Sequence, residues 1–193
     1  MSSQNFRATV GEGDHSYEAS ILNISGTSFG ALSPSAIQAL NTGAQLGGFA
    51  HNTGEGSISP YHVAGGGDLI WQVSTGYFGC RTKGGQFDPA LYKEKALSEQ
   101  VKMIEIKLSQ GAKPGHGGIL LAPKVTQEIA ETRGVTAGED CVSPSNHSEF
   151  STPAGLLDFA DRLRELAGGK PVGIKLCIGH PCLLYTYDAA DEV

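Results

Sequence analysis

Two glycine-rich turns carry the residues whose types and spacing could do chemistry. Residues 110–115 place the amide of Gln110 and the ammonium of Lys113 directly after the strand-like run 103–108. Residues 52–56 place the carboxylate of Glu55 between glycines, where backbone N–H groups can approach a ligand closely. Because the two turns carry charges of opposite sign, they predict a site for a charged small molecule.

The composition excludes several classes of protein. The chain has 193 residues and a net charge of −6, and its 14 Lys and Arg residues are scattered, which argues against nucleic-acid binding. No run approaches the 18 or so apolar residues of a membrane span, and residues 1–14 lack the apolar segment of a secretory signal. A cytoplasmic location is therefore expected.

The cysteines predict reduced thiols and no metal centre. Cys80, Cys141, Cys177 and Cys182 have neither the paired spacing of zinc ligands nor that of the common iron–sulfur motifs. No two histidines have the spacing of metal ligands on a helix. The sequence therefore supports no metal site and no iron–sulfur cluster.

The elements that must position the two turns alternate between strand and helix. Ser33 followed by Pro34, and Thr152 or Ser151 followed by Pro153, are typical helix starts. We expect strands at 19–25, 69–73, 103–108 and 171–179, and helices from 33, over 88–102, over 123–133 and from 153. Such alternation indicates βα units around a parallel sheet.

The last predicted strand separates two parallel-sheet architectures. Val172, Ile174 and Leu176 alternate with Gly173 and Lys175, whereas strands of an open, doubly wound sheet are usually apolar on both faces. A closed barrel accommodates the pattern, because the apolar set can pack on outer helices while Lys175 points inward. No Gly-x-Gly-x-x-Gly follows a strand, so the dinucleotide-binding fingerprint is absent. The sequence favours the barrel.

Several ordered motifs resemble the FMN-binding synthase domain of glutamate synthase, and in particular the stand-alone glutamate-synthase-like proteins that lack an amidotransferase domain. The resemblance covers about residues 19–181. Its motifs are the segments 27–33 (TSFGALS), 52–56 (NTGEG), 70–79 (IWQVSTGYFG), 104–107 (IEIK) running into 110–115 (QGAKPG), and 174–176 (IKL).

The resemblance implies a (β/α)8 TIM barrel with FMN at its C-terminal mouth. In that family 2-oxoglutarate and ammonia form an iminoglutarate, which is reduced to L-glutamate. By position, Glu55 and Lys113 would be catalytic, and Gln110, Lys113 and Arg133 would bind the keto acid. The FMN-binding residues would be Ser28, Asn52, Gln72 and Lys175.

The resemblance also implies which parts and partners lie elsewhere. The glycine-rich loops expected to hold the flavin phosphate do not appear, so we expect only about the N-terminal half of a barrel, over 19–181. Residues 1–18 are interpreted as an N-terminal extension, and 182–193 as an aberrant tail from a frame error or a foreign sequence. A separate electron donor (a reductase or ferredoxin) and a separate amidotransferase would act with the chain.

Two alternative functions fit the same residues. An FMN barrel acting on another keto or hydroxy acid would use the same charges. A non-catalytic flavin-binding subunit or fragment would need the same cofactor site and no turnover.

Overall fold

A four-stranded parallel sheet organises the protein. The computed structural model describes residues 6–110 and 115–177. Its strands are β3 (His51–Asn52), β4 (Leu69–Val73), β5 (Val101–Lys107) and β8 (Val172–Lys175). They lie in the order β3-β4-β5-β8, and a single bridge from Ile24 to His51 extends the sheet on the β3 side.

Five α-helices accompany the sheet within the described residues, and the residues at their starts explain where they begin. Ser33 and Thr152 accept hydrogen bonds from the backbone N–H groups of Ala36 and Gly155, and a proline occupies the first turn of both helices, as expected. The helices are α1 (Pro34–Gly47), α2 (Pro60–Ala64), α3 (Pro89–Ala96), α4 (Gln127–Arg133) and α5 (Pro153–Leu166).

Two antiparallel hairpins stand apart from the parallel sheet. They pair β1 (Arg7–Val10) with β2 (Tyr17–Ser20), and β6 (Gly118–Leu120) with β7 (Cys141–Ser143). The predicted strand 19–25 is wrong as a single element, since β2 ends at Ser20 and only Ile24 bridges to the sheet. The predicted boundary between residues 18 and 19 falls inside β2.

Two predicted helices are shorter than expected. The helix predicted over 88–102 ends at Ala96, because a turn at 97–100 leads into β5, where Val101 is fully buried and pairs with Leu69. The helix predicted from Pro123 is divided: a 3₁₀ turn covers Ala122–Lys124, and α4 begins only after Thr126 caps the N–H of Ile129. Strand pairing in the first case and capping by Thr126 in the second outweigh the helix propensity of the residues.

The helix-facing side of the sheet is the main core. Leu69, Trp71 and Ile104 pack with Tyr92 of α3 and Leu163 of α5, and all five are buried. The rings of Trp71 and Tyr92 stack with centroids 5.2 Å apart. This apolar layer holds α3 and α5 against the strands and so fixes where the strands end.

The opposite side of the sheet, here called the inner face, is polar. Strand register pairs Gln72 with Glu105, and Lys107 with Lys175, so these side chains share that face. The apolar and polar alternation predicted for β8 therefore extends to β4 and β5. The protein is a mixed α/β structure whose parallel strands follow chain order, as in part of a barrel wall; barrel closure remains a prediction.

Candidate functional site

A carboxylate, an ammonium and an amide form hydrogen bonds with one another close to the ends of β3 and β5. The Lys107 Nζ donates to Glu55 Oε2 at 3.0 Å and to Gln110 Oε1 at 3.1 Å, and Gln110 Nε2 donates to Glu55 Oε2 at 2.9 Å. We call these three residues the Glu55 cluster. The structure thus joins two residues predicted from the sequence, Glu55 and Gln110, through a third that was not assigned a role.

The Glu55 cluster is shielded but not closed. The Lys107 and Glu55 side chains are 11% and 20% exposed. An ion pair in such a setting is stronger than one on the surface because less solvent screens it. Gln110 is held at both ends of its amide, so its orientation is fixed by its partners rather than free.

The turn that carries Glu55 is anchored to β4 and to the loop after Ile24. The Thr53 N–H donates to Ile70 O at 3.0 Å, and the Gln72 N–H donates to Thr53 Oγ1 at 3.1 Å. Gly54 has φ +65°, and a Cβ there would lie 2.7 Å from the backbone nitrogen of Ser28. Only glycine fits this position, and it brings Ser28 against the turn.

Three polar side chains of the inner face form a second group, the Glu105 layer. Glu105 Oε1 accepts hydrogen bonds from Asn52 Nδ2 at 2.8 Å and from Gln72 Nε2 at 2.6 Å. The Asn52 Oδ1 in turn accepts from the Gly54 N–H at 3.0 Å. Because a carboxylate only accepts, it fixes which end of each amide points toward it.

An open cleft of about 420 Å³ lies along this inner face. Asn52, Glu105 and Lys175 contribute its polar lining, and Ile24 and Ile70 are among its apolar lining residues. In the described part of the chain, the Lys175 ammonium has no ion pair or side-chain hydrogen bond. The cleft therefore presents a cation that makes no direct ion pair, together with a fixed amide and a carboxylate, which suits a ligand with an anionic edge.

The sequence that forms this sheet and its cleft matches a known family of proteins. The sequence model described as the conserved region in glutamate synthase matches residues 13–191, almost the whole chain. The chain belongs to the glutamate synthase family. The matched range includes most of the segment interpreted as a tail, which itself lies outside the described residues.

Curated relatives extend the match. The chain is 44% identical over 166 residues to a glutamate synthase large subunit-like protein, YerD, of Bacillus subtilis, covering 86% of this chain and 31% of that protein. It is 34% identical over 154 residues to the archaeal glutamate synthase [NADPH] of Methanocaldococcus jannaschii, covering 79% and 28%. The chain thus spans about a third of the length of these family members. None of the helices in the described residues is long and apolar enough to cross a membrane.

Arg133 lies behind the Glu55 turn rather than within the Glu55 cluster. Its guanidinium is buried, donates to Phe29 O at 3.0 Å, and lies 5.2 Å from the centroid of the Phe78 ring. A Cβ on Gly56 would lie 3.0 Å from Arg133 Nη2, so the guanidinium packs against the backbone of the residue that follows Glu55. Arg133 Nε is buried without a hydrogen-bond partner. Lys113, the other predicted cation, lies outside the described residues.

Sequence reasoning assigned no role to Glu105 and Lys107, the two residues that organise the groups around them. Both belong to the 104–107 motif and alternate with the buried Ile104 and Ile106. The sequence signal that could have identified them is a charged residue at every second position of a buried strand. In the sequence analysis this signal was applied only to Lys175.

His147 supports the cluster from the loop after β7. Its Nε2 contacts Lys107 O at 2.9 Å and its Nδ1 contacts Tyr77 Oη at 3.0 Å. Since a carbonyl only accepts, Nε2 carries the proton and donates, and Nδ1 accepts from the tyrosine hydroxyl. Burial lowers the pKa of His147, which favours this neutral form. The backbone of Lys107 is thereby held by His147, while its side chain is held by Glu55 and Gln110.

Proposed function

We propose that the protein is an FMN-dependent oxidoreductase of the glutamate synthase type, which converts 2-oxoglutarate and ammonia into L-glutamate through an iminoglutarate. The observation that carries the proposal is the Glu55 cluster, in which an acid, a cation and an amide meet beside a polar cleft. Membership of the family supports the same reaction.

The chain's own residues suit a dicarboxylate and an imine. Gln110, Lys113 and Arg133 would bind the keto acid, since ammonium and guanidinium groups pair well with carboxylates. Glu55 would take a proton from the nitrogen as it bonds to the keto carbon and pass it to the carbonyl oxygen, which gives a carbinolamine. A second proton passed from the nitrogen to that hydroxyl would release water and leave the C=N double bond of the imine. Lys107 balances the charge of Glu55 and holds its position during both transfers.

Polar residues in and beside the inner cleft would hold the ring system of a flavin. Lys175 offers an unpaired cation for an anionic ring edge, and Asn52 and Gln72 offer amides whose orientation Glu105 fixes. Ser28 lies against the same turn. These four residues, Ser28, Asn52, Gln72 and Lys175, would hold FMN, and FMN when bound supplies the hydride that reduces the imine carbon.

The closed barrel, the electron donor and the source of ammonia would involve the whole protein. Consecutive parallel strands in the order β3-β4-β5-β8 support a barrel of the FMN-dependent type. Electrons would come from a separate donor, a reductase or ferredoxin, and ammonia from solution or from a separate amidotransferase. The archaeal relatives are named as NADPH enzymes, which makes reduced pyridine nucleotide the first ultimate electron source to test.

The test combines cofactor binding with turnover. The protein is titrated with FMN while flavin fluorescence is recorded, and is then mixed anaerobically with dithionite-reduced FMN, 2-oxoglutarate and ammonium. Reoxidation is followed by absorbance and glutamate by amino-acid analysis. Glu55→Gln should lower the rate of glutamate formation about 100-fold, because it removes the proton acceptor, and should leave FMN affinity unchanged. Glu139→Gln, at an exposed glutamate, is the matched control.

The outcomes separate the alternatives. Absence of FMN binding would contradict the proposal. Binding with turnover of a different keto or hydroxy acid, but not of 2-oxoglutarate, would favour an FMN barrel of other specificity. Binding without turnover of any such acid would favour a flavin-binding subunit.

A further inference from the structure

The residue that ends the Glu55 turn has an unusual backbone. Ser57 has φ +74°, in the left-handed region that residues with a Cβ rarely adopt, and its side chain is fully buried. Such a conformation is unfavourable unless the surroundings hold it in place. Ser57 follows Glu55 by two residues. A contact that holds Ser57 in this conformation therefore also fixes the path of the backbone as it leaves the turn 52–56 that carries Glu55.

Lys95 of α3 is the group that reaches Ser57. Its Nζ donates to Ser57 Oγ at 3.2 Å. Gly79 leaves the space for this contact: a Cβ at Gly79 would lie 1.7 Å from Ser57 Oγ and 2.8 Å from Lys95 Nζ. The hydroxyl is thus enclosed between a glycine backbone and an ammonium.

The surroundings of Lys95 make that hydrogen bond important. Among the described residues Lys95 has no ion pair with a carboxylate, although it lies partly buried beside Ser57. Burial lowers the pKa of Lys95, and the nearby Cys80 and Glu94 act in the opposite direction without cancelling that effect. Lys93, on the same helix, is exposed and provides a natural comparison.

We propose that Lys95 is a positioning residue for the Glu55 turn: its ammonium holds the Ser57 hydroxyl, and this contact keeps the backbone in the conformation that directs Glu55 toward Lys107 and Gln110. The catalytic consequence rests on the proposed function, whereas the structural contact does not. Lys95 itself touches none of the three residues of the Glu55 cluster through a hydrogen bond in the described structure.

Hydrogen–deuterium exchange tests the contact independently of any activity. In the 193-residue chain, Lys95→Met should raise the exchange rate of peptides covering 53–58 about tenfold, and Lys93→Met should leave it unchanged. Peptides from α5 serve as the internal reference for overall stability. Ser57→Ala, which keeps Lys95 and removes only its acceptor, should accelerate exchange in the same peptides. Lys95→Arg, which keeps a donor, should restore slow exchange.

Turnover measurements then test the positioning role. Lys95→Met should lower kcat for glutamate formation about tenfold with less than a twofold change in the KM for 2-oxoglutarate. In a Ser57→Gly background, which tolerates the left-handed backbone without a hydroxyl, Lys95→Met should have little further effect. Unchanged exchange over 53–58 in both Lys95→Met and Ser57→Ala would overturn the proposal. If the parent protein forms no glutamate, the proposed function fails while the exchange result still decides the role of Lys95.

Discussion

The two faces of the same parallel sheet differ sharply in what they contribute. On the helix-facing side, Trp71, Ile104 and Ile106 are fully buried among apolar side chains. On the inner side, Glu105 and Lys107 of the same strand make charge-assisted hydrogen bonds. Residues one position apart therefore contribute to the apolar core and to the polar inner face separately, because successive side chains of a strand point to opposite faces.

The inner face can remain polar because its polar side chains form hydrogen bonds with one another. Each polar group of the Glu55 cluster and the Glu105 layer has a partner, so burial leaves few of them unsatisfied. Beside these two groups, the Lys175 ammonium makes no ion pair within the described residues, and under the proposed function the flavin would supply its partner. The helix-facing side also has buried polar groups, the imidazoles of His51 and His62, whose centroids are 5.2 Å apart. Both have partners, since His51 Nε2 contacts Thr27 Oγ1 and His62 Nε2 donates to Thr27 O.

The largest expected effect tests the helix-facing side. Ile104→Ala should lower the free energy of unfolding by about 3–4 kcal/mol, because it removes buried apolar surface and leaves a cavity between β5 and its helices. Urea unfolding followed by circular dichroism measures the change. Ile119→Ala, at a residue that is 61% exposed, should change it by no more than about 0.5 kcal/mol. Equal losses in the two variants would contradict the division between the faces.

An intermediate effect concerns the imidazoles on the helix-facing side. Burial, with a smaller contribution from the neighbouring His62, lowers the pKa of His51 to about 4, against about 6.5 in the unfolded chain. The unfolded state therefore binds more protons between these values, and His51 stabilises the fold above pH 6.5. That stability is lost as the pH falls toward 4. From pH 7 to pH 5 the free energy of unfolding should drop by about 2 kcal/mol because of His51.

Urea unfolding at the two pH values measures this drop, and variants assign it. His51→Gln should reduce the difference between pH 7 and pH 5, since glutamine does not titrate. His15→Gln, at an exposed histidine, should leave the difference unchanged. A pH dependence that persists in full in His51→Gln would assign the effect to other groups, such as His62 and His147.

The smallest expected effect tests the inner face. Lys175→Met should weaken FMN binding about tenfold, or about 1.4 kcal/mol, because it removes the unpaired cation of the cleft. Flavin fluorescence titration measures the affinity, and Lys93→Met is the matched control. The free energy of unfolding should hardly change, in contrast to Ile104→Ala. A large loss of stability with unchanged FMN affinity would show that Lys175 belongs to the core, and would contradict the division between the two faces of the sheet.

Local sequence signals predicted the elements that short-range chemistry determines. Ser33 with Pro34 and Thr152 with Pro153 predicted two helix starts correctly, because a cap acts within three residues of its own backbone. The helix predicted over 88–102 was too long, because pairing of Val101 with Leu69 is a contact between residues far apart in the chain. The family and the alternation of β8 were also accessible from the sequence.

The sequence by itself therefore determined the family, the alternating elements and the turn that carries Glu55. Only the tertiary structure decided that Lys107 joins Glu55 to Gln110, that Glu105 orients the two amides, and that Lys95 reaches Ser57. The physical reason is distance along the chain. Register, cavity shape and long-range hydrogen bonds depend on how strands and helices pack, and no local pattern of residues encodes them.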